Sequence, residues 1–201
     1  MATDIEPGYP AEMPRSTDAR INAIRTASRL FQEQGYAATG LTEIIELSGA
    51  PKGSFYFHFP GGKEQLAVEA LRASGEHITE ALRKLAEQSA SPARLIRDYA
   101  ATQERMLVSS GYRQGCPIAT VALEMASESE PIRTTVEAVY TAWSTVLADF
   151  LRLHGHTRAQ AARLAEHVVA TMEGALLLSR SYRSIEPVRN AVRTLTALLD
   201  G

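Results

Sequence analysis

Strand-like alternation of apolar and polar residues is missing from this sequence, and with it any case for a sheet. Cysteine is nearly absent. Cys116 stands alone among 201 residues, which excludes an intramolecular disulfide and suits a reducing, cytosolic setting. No apolar run approaches the roughly 18 residues that a bilayer-spanning helix needs, so no membrane partner is expected, nor is a signal peptide. An excess of positive charge is lacking too: the formal net charge is −2, and nothing global advertises a polyanion. Histidines with the helical i, i+4 spacing of a metal pair are also missing. His154 and His156 flank Gly155 at a helix end, so no metal and no cofactor is expected. Nothing places a base beside Cys116, and the chain is not expected to be an enzyme.

What is present is apolar spacing of three and four residues almost from end to end, which predicts an all-α chain of about nine helices. The opening residues 1–15 are acidic and proline-rich and read as a mobile tail. A first helix is expected over Asp18–Gln34, capped by Ser16 or Thr17 and stopped by Gly35. Two short helices follow, Leu41–Leu47 and Pro51–His58, joined by a turn at Ser48-Gly49-Ala50. Longer helices are expected over 62–88, 92–109 and 131–154, with a short one from Pro117 to Ser127. Thr157 and Gln160 have the spacing of a capping box for a helix over 158–181, and Pro187 opens the last helix. These last two helices are apolar over more than one narrow stripe, which fits either a central core position or a dimer interface.

The stretch Thr39–Lys63 carries the chemistry. Its second short helix presents Lys52, Ser54, Tyr56 and His58 and has no carboxylate, which suits a surface covered in phosphates. From Arg15 to Lys63, six basic residues stand against four acidic ones, so a modest positive excess sits where the motif is. Gly49 gives the turn its bend without a Cβ penalty. Phe55 and Phe59 are expected to face inward on Ile24, Phe31, Ile44 and Leu47, leaving Tyr56 and His58 outward.

The run Gly35-Tyr36-Ala37-Ala38-Thr39, followed by Ile44, Gly49, Lys52-Gly53-Ser54-Phe55-Tyr56 and His58-Phe59, resembles the tetracycline-repressor (TetR) family of bacterial transcription regulators. The resemblance implies an N-terminal three-helix DNA-binding domain with a helix-turn-helix over residues 16–62. It also implies a ligand-binding and dimerisation domain over 63–201. Partners implied are a double-stranded palindromic operator, a small-molecule effector and a second copy of the chain joined through the last two helices. On this likeness Thr39, Lys52, Tyr56, His58 and Lys63 contact the DNA backbone, while Ser54 and Gly53 lie against bases. Three positions depart from the family pattern: Gly40 replaces a capping hydroxyl residue, Pro51 precedes Lys52, and the linker Pro60-Gly61-Gly62-Lys63 is one residue longer than the commoner form.

The stretch Gly115-Cys116-Pro117-Ile118-Ala119, with Leu123-Glu124 and Ser129–Arg133 beyond it, resembles a drug- and flavonoid-responsive subgroup of the same family. Adaptable side chains for a bulky ligand are offered by Tyr99, Met106, Tyr112, Cys116, Met125 and Tyr140. Further along, Trp143, Phe150 and Met172 extend the set, and His167 and Glu173 are polar groups on an apolar helix. Plain core packing is the competing role for each. The competing function is a helical dimer that binds a ligand or acts as a scaffold and does not recognise specific DNA.

Overall fold

The computed structural model describes residues 16–199, and the expected tail at 1–15 lies outside them. Nine α-helices and no strand are found among the described residues: α1 (Ser16–Ala38), α2 (Leu41–Ser48), α3 (Lys52–His58), α4 (Gly62–Gln88), α5 (Pro92–Ser109), α6 (Pro117–Met125), α7 (Glu130–Leu153), α8 (Arg158–Tyr182) and α9 (Glu186–Leu199).

Local chemistry sets most boundaries. Ser91 accepts from the Arg94 N–H and Ser129 from the Ile132 N–H, each ahead of a first-turn proline. Thr157 and Gln160 form the reciprocal capping box of α8. Gly49, at φ 67°, closes α2 in the left-handed region and turns the chain into α3. Pro51 is the N-cap of α3 rather than its first residue, and Gly40 caps α2 without any side-chain bond.

The expected stop at Gly35 is instead a break. Gly35 adopts φ 85°, ψ 178°, and the chain resumes helical geometry for one more stretch, to Ala38. Thr39 then closes the segment, its hydroxyl donating to the Gly35 carbonyl at 2.6 Å.

One continuous apolar core runs through the molecule. At the amino end, Phe31, Ile44, Phe55 and Phe59 are buried together and set α2 and α3 against α1. Leu47, expected in this group, is 56% exposed, because it falls on the outer side of α2. Deeper in the body α4 and α7 lie side by side. Their approach depends on Gly75, where an added Cβ would collide with the γ-methyls of Val139. The Gly75 carbonyl also receives the Trp143 indole N–H at 3.3 Å. At the start of α4, Glu64 accepts from the Ser129 hydroxyl at 2.6 Å, tying it to the cap of α7.

Gly75→Ala tests that close approach. Helix propensity favours alanine by about 1 kcal/mol, whereas overpacking costs about 1–3 kcal/mol, and Val139 is β-branched and cannot swing aside. The single variant is expected to lose roughly 1–2 kcal/mol in urea unfolding, and Gly75→Ala with Val139→Ala to recover most of it.

Candidate nucleic-acid interface and ligand cavity

Helix α3 is built as an exposed ledge on a buried aromatic keel. Phe55 and Phe59 are 1% and 0% exposed, with ring centroids 5.1 Å apart, and they fix the rotation of the helix. Lys52, Gly53 and Tyr56 then face solvent and Ser54 is half-buried at the rim. No carboxylate pairs with Lys52 among the described residues. The first-turn N–H groups of α3 have no intrahelical acceptor, which adds donors to the same face. Phe57, a residue the sequence reading passed over, is 81% exposed here.

Two expected contact residues are placed differently. Thr39 is fully buried, with its hydroxyl spent on Gly35, so its side chain closes α1 instead of offering a surface donor. His58 does not point freely outward: it is half-buried between Phe57 and Phe59, and its Nε2 is shielded without a hydrogen-bond partner. Lys63 is half-buried and lies 4.1 Å from the centre of the Tyr36 ring. Burial lowers its pKa, opposed by the nearby Glu124 carboxylate.

The break at Gly35 determines how this head meets the body. In an unbroken helix the N–H groups of Tyr36 and Ala37 would bond the carbonyls of Gln32 and Glu33. Here all four groups find outside partners. Glu124 on α6 accepts from Tyr36 at 3.1 Å and from Ala37 at 2.6 Å. The Gly115 N–H donates to the Gln32 carbonyl at 3.4 Å, and the Arg180 guanidinium on α8 donates to the Glu33 carbonyl at 2.6 Å. The Gln32 side chain returns a bond to the Gly115 carbonyl at 2.8 Å. A Cβ at position 35 would strike the Glu124 carboxylate, so the glycine is needed for closeness as well as for φ.

Gly115, Glu124 and Arg180 are also walls of a cavity. It holds about 530 Å³ between α6, α7 and α8, and its lining includes Cys116, Ala119, Leu123, Tyr140, Leu176 and Glu173. A second cavity of about 680 Å³, between α4, α5 and the loop before α6, shares Gly115, Cys116 and Leu176 and adds Tyr99, Met106 and His77. A narrow cleft links Tyr99, Trp143, Met172 and Glu173. Seven of the expected ligand residues are therefore brought together: Tyr99, Met106, Cys116, Tyr140, Trp143, Met172 and Glu173. The other four are not lining residues of these three spaces. Phe150 is core and stacks on His154 at 4.2 Å, Tyr112 and Met125 pack on the core edge, and His167 is exposed on α8.

Burial governs the electrostatics of the cavity. Glu173 is pushed up to about 7 by loss of solvent, against a lowering bond from the Cys116 thiol, and its Oε2 has no partner. Burial likewise raises the Cys116 thiol well above its ordinary range and holds Tyr99 and Tyr140 neutral. Cys116 is thus a thiol, not a thiolate.

Comparison with known proteins agrees with this geometry. Residues 23–70 match the model of bacterial regulatory proteins of the tetR family, and residues 92–194 match the LmrA/YxaF-like transcriptional regulator C-terminal domain. The chain is 36% identical to the HTH-type transcriptional regulator LmrA of Bacillus subtilis over 182 residues, 90% of this chain and 97% of that protein. The chain belongs to the TetR family of helix-turn-helix transcriptional regulators. More distantly, the Escherichia coli transcriptional repressor NemR is 27% identical over 87% of this chain and 90% of its own. The crystal structure of regulatory protein TetR from Rhodobacter sphaeroides superposes with a TM-score of 0.80 at 25% identity, covering 89% of this chain and 97% of that one. A helical ligand-binding or scaffolding dimer that does not recognise specific DNA is not favoured by this membership. No helix among the described residues is long and apolar enough to cross a membrane.

Sequence reasoning missed Arg180, Gln32 and Gly115 as junction residues. Their role depends on carbonyls freed by the Gly35 break, and residue type carries no sign of that.

Glu173 yields a test of stability against pH. Its native pKa lies above its unfolded one, so the native state binds the extra proton, and its stability falls as pH rises from about 4.5 through 7. Above neutrality the buried charge costs on the order of 2–3 kcal/mol. Urea unfolding is expected to find Glu173→Gln more stable than wild type by about 2 kcal/mol near pH 8, with the difference gone near pH 5.

Proposed function

We propose that the protein is a homodimeric repressor that a small apolar or aromatic effector releases from a palindromic operator. The single observation carrying this reading is the carboxylate-free, solvent-facing ledge of α3, mounted on a helix whose broken end is held by cavity walls. Residues 16–62 act as the DNA-binding head and 63–201 as the ligand-binding and dimerising body. Lys52, Tyr56, His58 and Lys63 contact phosphates, with Ser54 and Gly53 against base edges in a major groove. For His58 and Lys63 this requires modest side-chain rearrangement on binding. Thr39 supports the ledge from within.

Release follows from two conformations with different affinity for the effector. A molecule entering between α6, α7 and α8 displaces Glu124, Arg180 or the loop at Gly115. Each of those holds a backbone group of α1, so the head turns with them. Two heads must span half-sites about 34–36 Å apart or a multiple of that, so a small rotation in each subunit suffices to lose the operator.

The paired subunit is expected on α8 and α9, where Leu177, Leu178, Tyr182 and Leu198 are exposed at 44–66%. Light scattering of the intact protein is expected to give a dimer. Leu178→Glu with Leu198→Glu should give a monomer with no operator binding, and a variant that stays dimeric would move the interface elsewhere.

Operator selection from random duplex DNA is expected to enrich one palindrome. Lys52→Ala should then weaken binding to every sequence, and lower the slope of log K against log salt by about 1 per lost phosphate contact. Tyr56→Phe should lose about 1 kcal/mol in a gel-shift titration. Unchanged affinity in both variants would remove α3 from the interface.

A further inference from the structure

Glu173 meets the Cys116 thiol and leaves its second carboxylate oxygen unpaired. It sits among apolar walls and Tyr99, Tyr140 and Cys116, its Oε2 is shielded from solvent, and no hydrogen bond reaches that atom. A buried carboxylate oxygen left without a partner is destabilising, and Glu173 lines a cavity of about 530 Å³. The cavity wall also carries one positive charge, Arg180, which donates one N–H to the Glu33 carbonyl of α1. The second wall carboxylate, Glu124, is likewise spent, on the Tyr36 and Ala37 N–H groups. Of the two wall carboxylates, only Glu173 keeps an oxygen, Oε2, with no hydrogen-bond partner. The two tyrosines beside it are neutral.

We infer that Glu173 is the charge-recognition group of the cavity between α6, α7 and α8, and that the effector is an aromatic or apolar molecule carrying a protonated amine. This rests on the ligand-released reading above and narrows it. The amine donates to the open Oε2 and forms a charge-assisted bond, the kind strengthened most by a water-poor site. Tyr140, in the same wall, adds attraction for a cation close to its ring. The apolar wall formed by Ala119, Leu123 and Leu176 accepts the hydrocarbon body. An anionic ligand brings a further negative charge into a wall that already holds two carboxylates, Glu124 and Glu173, against one guanidinium, Arg180. A neutral one leaves the carboxylate as it is in the empty protein.

The test uses the full-length protein without DNA and three fluorescent probes of one shape: 9-aminoacridine as the cation, acridine as the neutral form and 9-acridinecarboxylate as the anion. Titrations near pH 8 keep both the amine and Glu173 charged. Wild type is expected to bind 9-aminoacridine at least about tenfold more tightly than either other probe, and Glu173→Gln to lose about tenfold or more for the cation alone. The glutamine is isosteric and removes a buried charge, so the variant folds, and its unfolding transition verifies that. Equal binding of 9-aminoacridine to both proteins overturns the inference, as does no binding, or preference for the neutral or anionic probe. A gel shift with the selected operator separates this from the repressor reading. Retained operator binding that acridine relieves in both proteins leaves a ligand-released repressor and removes only the charge rule. Loss of operator binding in wild type removes the repressor itself.

Discussion

The arrangement of the molecule depends on four main-chain groups set free by one glycine. Where Gly35 interrupts α1, two N–H groups and two carbonyls lose their intrahelical bonds, and leaving them bare in a part-buried junction would cost several kcal/mol. Glu124, Gly115 and Arg180 take them up, one from a short helix, one from a loop and one from the long helix α8. Side chains add to the join: Glu33 receives Arg113 and Gln114, both at 3.2 Å, and Lys63 rests over Tyr36. The head is therefore fastened by directional polar bonds as well as by the apolar contact of α1 with α4 and α6. Directional bonds of this kind have discrete arrangements, which is what a two-state response needs.

The cavity and the junction share residues, and this gives the body its second property. Gly115, Glu124 and Arg180 each face the cavity and hold α1. On the ligand-released reading proposed above, a molecule in this cavity need not transmit strain through many packed layers, because residues that line it also hold the broken end of α1. The sole cysteine plays a quiet part, buried at the wall common to two cavities and held as a thiol that bonds Glu173.

Most of the architecture was legible in the sequence because helix ends are written in local chemistry. Ser91 and Ser129 before prolines, the Thr157–Gln160 box and Gly49 each act within a few residues of themselves. The aromatic keel of α3 was legible for the same reason: Phe55 and Phe59 are four apart and share a face. Long-range satisfaction was not legible. Thr39 reads as an exposed hydroxyl until the Gly35 break turns it inward, and Leu47 reads as core until α2 is rotated by Ile44. Among the ligand residues, those on facing turns of α5 to α8 converge. Phe150 diverges into the core beside His154, and His167 diverges because it lies on the exposed face of α8 although Val168 and Val169 next to it line the cleft.

A Cβ at residue 35 and the carboxylate at residue 124 would occupy one place. A side chain at 35 would have to displace that carboxylate from the Tyr36 and Ala37 N–H groups, so the two positions act as a single mechanical part split between head and body. A chimera that grafts a foreign reading head onto this sensor would work if its seam keeps the 32–37 segment with the body. A seam cut at the helix-turn-helix boundary would preserve every surface contact to the duplex and still sever the linkage to the sensor.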